Sequence, residues 1–310
     1  MAKRTGTVVA LHRDDTTIDA ATQRFLSERD LTPGTRRVYG SSLAHLGDAV
    51  GHDTPLSAVT TEALEAHLVN GWGSSAPATF NRELATVQSL FAWAARRRLA
   101  TTDPTEGIER KKERRTPRQA DAQRAIDYSA LEALWGGKDV ALREKTLWRM
   151  LYETGARANE VLALDVNDLD LGERCARIIG KGGHSERVYW MTGAARLLPR
   201  LLGDRTTGPV FLADRPPRIA VAKRDLDRTT GRARLSYRRA AELFSEASGG
   251  STLHQLRHSL LTHWAEDGVD VALLKAKSRH RSLRSLERYV RPSEASVARL
   301  TAEHDRMRRR

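Results

Sequence analysis

Ser251 to Gly268 read STLHQLRHSLLTHWAEDG. Thr252, followed three residues on by Gln255, forms a capping box, which makes Thr252 an N-cap. Gly268 is the matching stop, expected as the C-cap. Leu253, Leu256, Leu260 and Trp264 fall on one stripe and predict a buried face. His254 and Arg257 flank that stripe one turn apart, at the start of the helix. Cationic groups there oppose the helix macrodipole. Either solvent screens the cost or an anion sits at the exposed N–H groups, where a phosphate fits well.

Elsewhere the chain gives the setting. It has 310 residues, enough for two domains, and 40% of them are hydrophobic, enough for real cores. The formal net charge is +13, which points to a polyanion such as nucleic acid or to an acidic membrane surface. A solvated basic surface is the plain alternative. The single cysteine, Cys175, excludes an intramolecular disulfide and a cysteine-rich zinc site. No apolar run approaches the roughly 18 residues of a membrane span, and the N-terminal apolar stretch is too short for a secretory signal. An intracellular protein is expected.

Residues 14–107 read as a helical domain. TIDAATQRFLSERDL follows a threonine and ends before Pro33, and Tyr39, Leu43 and Leu46 share a face of the next segment. A third helix begins at Thr61, and Leu84, Val87, Phe91 and Ala94 stripe a fourth. Residues 108–127 are polar, strongly basic and aperiodic, as in a linker. Residues 128–310 form the second domain. Helices are expected at SALEALWGG, at VALREKTLWRMLYETG ending near Gly155, and again at ARANEVLALDV. CARIIGKGGHSERVYWM changes period, with two strands around a glycine-rich turn. SYRRAAELFSEASGG, DVALLKAKSRH and SLRSLERYV return to helix. The fold class is therefore mainly α with a small β-sheet.

A His-x-x-Arg pair alone says little, since roughly one is expected by chance in so arginine-rich a chain. His184 and Arg187 make a second pair in the hairpin, read as a solvent-exposed decoy. The companions carry the signal. Arg157 follows Thr154-Gly155-Ala156, Lys181 sits in the glycine-rich turn, and His280 precedes Tyr289 by nine residues. On one straight helix that spacing places them on opposite faces, so a break after His280, near Ser282, is expected. Singly, each has a plain structural reading: a helix cap, a solvated turn, a surface imidazole, a core tyrosine.

Together they resemble the tyrosine recombinases, the phage integrase family, over about residues 17–295. Arg157 stands in a T-G-x-R segment, Lys181 on a β-turn, and His254-Gln255-Leu256-Arg257 forms the H-x-x-R box. His280 and Tyr289 complete the order. The helical segments TRRVYGSSL and TFNRELATVQSLFAWA resemble the family's core-binding domain. Two positions depart. Asn159 replaces a usual serine without consequence, and Ser278-Arg279-His280 replaces Leu-Gly-His. Losing that glycine is expected to alter the turn geometry.

The resemblance implies a site-specific recombinase or integrase with a helical core-binding domain and an α+β catalytic domain. Tyr289 would attack a phosphodiester, expel a 5′-hydroxyl and leave a 3′-phosphotyrosine. Arg157 and Arg257 would clamp the non-bridging oxygens as permanently charged forks. His254 is the candidate proton acceptor, Lys181 the general acid for the departing 5′-oxygen, and His280 a phosphate hydrogen-bond partner. No metal and no cofactor is implied. Partners would be double-stranded DNA and a homotetramer assembled on it as paired dimers, in a cytoplasmic, nucleoid-associated protein of bacterial or phage origin. Arg82, Arg238 and Arg239 are the candidate DNA-binding side chains beyond the catalytic set. The segment after Tyr289 reads as one more helix with a basic end. A type IB topoisomerase-like enzyme and a non-cleaving DNA-binding accessory protein remain as alternatives.

Overall fold

The computed structural model describes residues 16–100, 102–112, 124–180, 183–279, 286, 298 and 301–302. The chain divides into two compact units, Met1–Arg115 and Thr116–Arg310.

The first unit is helical. Helix α1 (Ile18–Glu28) starts where the Thr17 side chain accepts from the Ala20 backbone N–H. Helix α2 (Pro33–Val50) places Pro33 in its first turn, where no donor is lost. Helix α3 (Thr61–Trp72) is capped by Thr60, whose side chain accepts from the Ala63 N–H, so Thr61 is the first helical residue. Helix α4 (Pro77–Arg96) buries the expected stripe of Leu84, Val87, Phe91 and Ala94 against Phe25, Leu43 and Leu46. The basic stretch after this unit begins fastened to it. Lys111 and Asn81 exchange two hydrogen bonds of 2.9 Å, main chain to side-chain amide. The Lys111 ammonium also lies 4.4 Å from the Phe80 ring centroid.

The second unit wraps helices around a small antiparallel sheet. Helices α5 (Tyr128–Gly136), α6 (Leu142–Thr154) and α7 (Ala158–Leu162) lead into strand β1 (Leu169–Asp170). Strands β2 (Cys175–Ile179) and β3 (Ser185–Tyr189) form the hairpin, with Cys175 opposite Tyr189 and Ile179 opposite Ser185. Strand order is β1-β2-β3. Period two shows in burial: Ala176, Ile178 and Val188 face the core while Arg177, Ile179 and Arg187 face out. Cys175 itself is 3% exposed. Helix α8 (Thr192–Leu202) follows, unforeseen from sequence and carrying Pro199 inside it. Helices α9 (Tyr237–Ala247), α10 (Leu253–Glu266) and α11 (Val271–Ser278) complete the described unit. No described helix is long and apolar enough to cross a membrane.

Three expectations are corrected. ARANEVLALDV gives only the five residues of α7, because Asp165 and Asp168 turn the chain into a 3-10 segment over Val166–Asp168. The C-cap of α10 is Asp267, and Gly268 is the residue beyond it, with φ 83°. The helix expected over DVALLKAKSRH ends early, while the break expected near Ser282 lies outside the described residues. Helix α11 stops at Ser278, two residues short of His280, with Arg279 in the left-handed conformation.

Candidate active site

The Thr252 cap forms as the sequence predicts: its backbone N–H donates to Gln255 Oε1 at 2.7 Å. This fixes the first turn of α10, which carries His254 exposed and Arg257 buried at 2% exposure. The stripe of Leu253, Leu256 and Leu260 is buried, and Trp264 is half-buried beside Leu261 and Leu274. Arg257 runs inward from that face. Its Nη1 donates to the Gly155 carbonyl, and its Nη2 donates to the Ser278 carbonyl at 2.6 Å. A buried guanidinium is tolerable only when its donors are met, and two main-chain carbonyls from separate segments do part of that here.

Gly155 is why the first acceptor is available. It ends α6 with φ 60°, the left-handed C-cap that glycine adopts without a Cβ penalty. The turn is reinforced by Thr154, whose hydroxyl accepts from the Ala156 N–H at 3.1 Å. The chain then restarts at Arg157, the N-cap of α7. Glu160 closes on it: Arg157 N donates to Glu160 Oε2 and Arg157 Nη1 to Glu160 Oε1, each at 2.8 Å. The Arg157 side chain is 45% exposed and the Glu160 side chain 8%. Arg279 and Arg157 together hold the Glu160 carboxyl below the usual range, against the opposing pull of burial.

The structure thus joins three pieces that lie far apart in sequence: the Thr154–Arg157 turn, the start of α10, and the end of α11. The β2–β3 hairpin reaches the same cluster through Arg279, whose Nη1 lies 3.3 Å from Glu186 Oε2. Lys181 falls in the connection of that hairpin, and Lys181, His280 and Tyr289 lie outside the described residues. His184 and Arg187 are exposed on the hairpin, as expected of the second His-x-x-Arg pair. The expected change of turn geometry at residue 279 does not occur: Arg279 adopts φ 55° and ψ 38°, the backbone region a glycine favours.

Glu160 and Arg279 are the residues whose part the sequence reading missed. The signal was present in a carboxylate three residues after Arg157 and an arginine in a glycine's place. Away from this cluster, Arg82 is 57% exposed on α4 and paired with the buried Glu83 at 2.8 Å. Arg238 and Arg239 are exposed on α9, both within reach of Glu242. The three therefore stand on surfaces, each with an acidic neighbour.

Residues 119–296 match the family model described as the phage integrase family. The chain belongs to the phage integrase family. Relatives agree over nearly its whole length. It is 32% identical over 307 residues to a tyrosine recombinase XerC of Mycobacterium sp. (strain JLS), covering 94% of this chain and 98% of that one. It is 33% identical over 279 residues to the tyrosine recombinase XerC of Mycobacterium tuberculosis (strain ATCC 25177 / H37Ra), covering 88% and 91%. As a family member it is a tyrosine site-specific recombinase, an enzyme that breaks and rejoins DNA strands.

Solved structures share the fold. The Tn1549 transposon integrase in complex with circular intermediate DNA superposes with a TM-score of 0.67 at 14% identity, covering 92% of this chain and 99% of that one. A lambda integrase tetramer bound to a Holliday junction gives 0.65 at 15% identity, covering 87% and 79%. Both are integrases, and this chain, mostly helical with a small three-stranded sheet, has the fold class expected from the sequence.

Proposed function

We propose that this recombinase cleaves DNA with Tyr289 as nucleophile and Arg157 and Arg257 as the phosphate clamp. The phenolate oxygen of Tyr289 attacks phosphorus, the bond from phosphorus to the 5′-oxygen breaks, and a 3′-phosphotyrosine forms. His254 takes the phenol proton, which a group of ordinary pKa near 10 does not release unaided. Lys181 protonates the departing 5′-oxygen, and His280 donates to the phosphate. Attack by another strand's 5′-hydroxyl reverses these steps, so the bond energy is conserved. The observation that carries this reading is the Arg257–Gly155 hydrogen bond, which fastens the H-x-x-R helix to the T-G-x-R turn. Two guanidinium groups set in one rigid frame can meet charge that develops on non-bridging oxygens.

The helical first unit serves as a core-binding domain, and each unit contacts the duplex, the first through residues such as Arg82 and the second through Arg238 and Arg239. Phosphate contacts then dominate affinity, which falls steeply with salt. Active molecules assemble on DNA as a tetramer of paired dimers in the cytoplasm.

Covalent capture tests the core of this reading. Wild-type protein and a Tyr289→Phe variant are expressed with host DNA, the reaction is stopped in strong detergent, and linked fragments are sequenced at their ends. Ends gathered at one or a few sites, absent from the variant, are expected. Scattered ends would indicate topoisomerase-like relaxation. Linked DNA with Tyr289→Phe would overturn the nucleophile assignment, and unaltered cleavage by Lys181→Ala would overturn the general acid.

A further inference from the structure

Arg279 is costly where it stands. An L-residue with a side chain is disfavoured in the left-handed region, where its Cβ crowds the following carbonyl oxygen. Family resemblance puts a glycine here, and the turn retains a glycine-like backbone. The side chain is instead 8% exposed and spans two elements. Its Nη2 donates to Glu160 Oε2 at 2.5 Å, and its Nη1 approaches Glu186 Oε2 on β3 at 3.3 Å. Its Nε is buried without a hydrogen-bond partner, a further cost. Glu160 is equally buried and is bracketed by two arginines, Arg279 on one side and Arg157 on the other.

This arrangement has a direction. Arg157 is the exposed end of the array, and an exposed arginine has many rotamers to lose. Glu160 restricts them by holding both the Arg157 main-chain N–H and its guanidinium. Glu160 is itself held from behind by Arg279. The second arm of Arg279 fixes Glu186, five residues after Lys181 on the same hairpin.

We propose that Arg279 is a positioning residue for strand cleavage, clamping Glu160 so that Arg157 is presented in one rotamer, and steadying the β2–β3 hairpin through Glu186. The proposal rests on the recombinase chemistry of the preceding subsection. It is a device of this chain, since a glycine at residue 279 has no side chain with which to make it.

The test compares wild type with Arg279→Gly and Arg279→Lys, using a duplex that carries the site recovered by covalent capture. Glycine removes the clamp while relieving the backbone. The expected result is a single-turnover cleavage rate at saturating DNA lower by about 100-fold, the scale of a 1 Å misplacement, with DNA affinity within about twofold. Lysine keeps the charge but lacks the fork, and recovers part of the loss. A second readout needs no DNA. The 13C resonance of the Glu160 carboxyl is followed against pH; Arg279 and Arg157 are the charged groups paired with it. Its titration should move upward in Arg279→Gly, and to a lesser extent in Arg279→Lys should the glycine variant fail to fold. Equal cleavage rates, or a Glu160 titration that does not move, would overturn the positioning role while leaving the recombinase reading intact. Wild-type protein that links no DNA at all removes the recombinase reading, and this one with it.

Discussion

Arg257 and Gly155 stand 102 residues apart in the chain and meet as donor and acceptor, guanidinium to carbonyl. That bond, with the one from Arg257 to the Ser278 carbonyl, makes an arginine of the proposed clamp also a structural bolt. On the proposed mechanism, loss of function and loss of stability are therefore coupled at this residue. Arg257→Ala should lower unfolding free energy by about 3 kcal/mol, because two buried carbonyls lose a charged donor. Urea denaturation of the two proteins reads this directly. An Arg257→Ala protein as stable as wild type would mean the carbonyls find other donors.

Gly155 makes a separate prediction. Its φ of 60° disfavours any side chain, and an added Cβ would lie 2.9 Å from Leu260 Cδ2. Leu260 can give way, so the backbone cost dominates. Gly155→Ala should destabilise by about 1–2 kcal/mol and displace Arg157, slowing cleavage more than it weakens DNA binding. The measurement is the split between single-turnover rate and DNA dissociation constant.

Helix α8 depends on a residue outside itself. Glu153, near the end of α6, accepts from the Met191 N–H at 2.8 Å and the Ala194 N–H at 3.1 Å, although burial pushes its carboxyl upward. It supplies the cap that α8 lacks in its own sequence. Glu153→Ala should cost about 2 kcal/mol and release the first turn of α8, seen as lost amide protection around Met191–Ala194.

Lys277 gives a pH signature. Its ammonium donates to the Tyr189 carbonyl at 2.8 Å, and burial pulls its pKa down to about 8 from 10.5. Between those two values the folded protein binds fewer protons than the unfolded chain, so this group makes stability rise with pH across that window. Lys277→Met should flatten the rise, by an amount on the order of 1 kcal/mol given its partial exposure to solvent. Thermal melts of both proteins at pH 7.5 and 10 check it; parallel curves would mean that Lys277 keeps its proton.

The elements legible in the sequence were those whose cues are local. Thr17, Thr252 with Gln255, Pro33 and the stripe of α4 each declare themselves within one or two turns. The hairpin was legible because its period changes. Helix α8 was not, because Pro199 argues against it and its cap comes from Glu153, 39 residues before the helix begins at Thr192. The same division holds at the site. Arg157, His254 and Arg257 follow from motif order, but the bracket of Arg279 on Glu160 is a contact across 119 residues, and only folding brings it about. Arg257 is the mixed case: its place in the motif was plain, while its burial against two carbonyls was not.

Cys175 has a practical consequence. It is the single thiol of the chain and lies 3% exposed at the start of β2, walled in beside Ala176 and Ile178. Maleimide dyes need an accessible thiolate, so the native protein should resist labelling. A cysteine introduced on the exposed face of α4 and another on α9 would then take a donor and acceptor fluorophore without first deleting the native one. Energy transfer between them then reads the separation of the two dyes with and without a duplex.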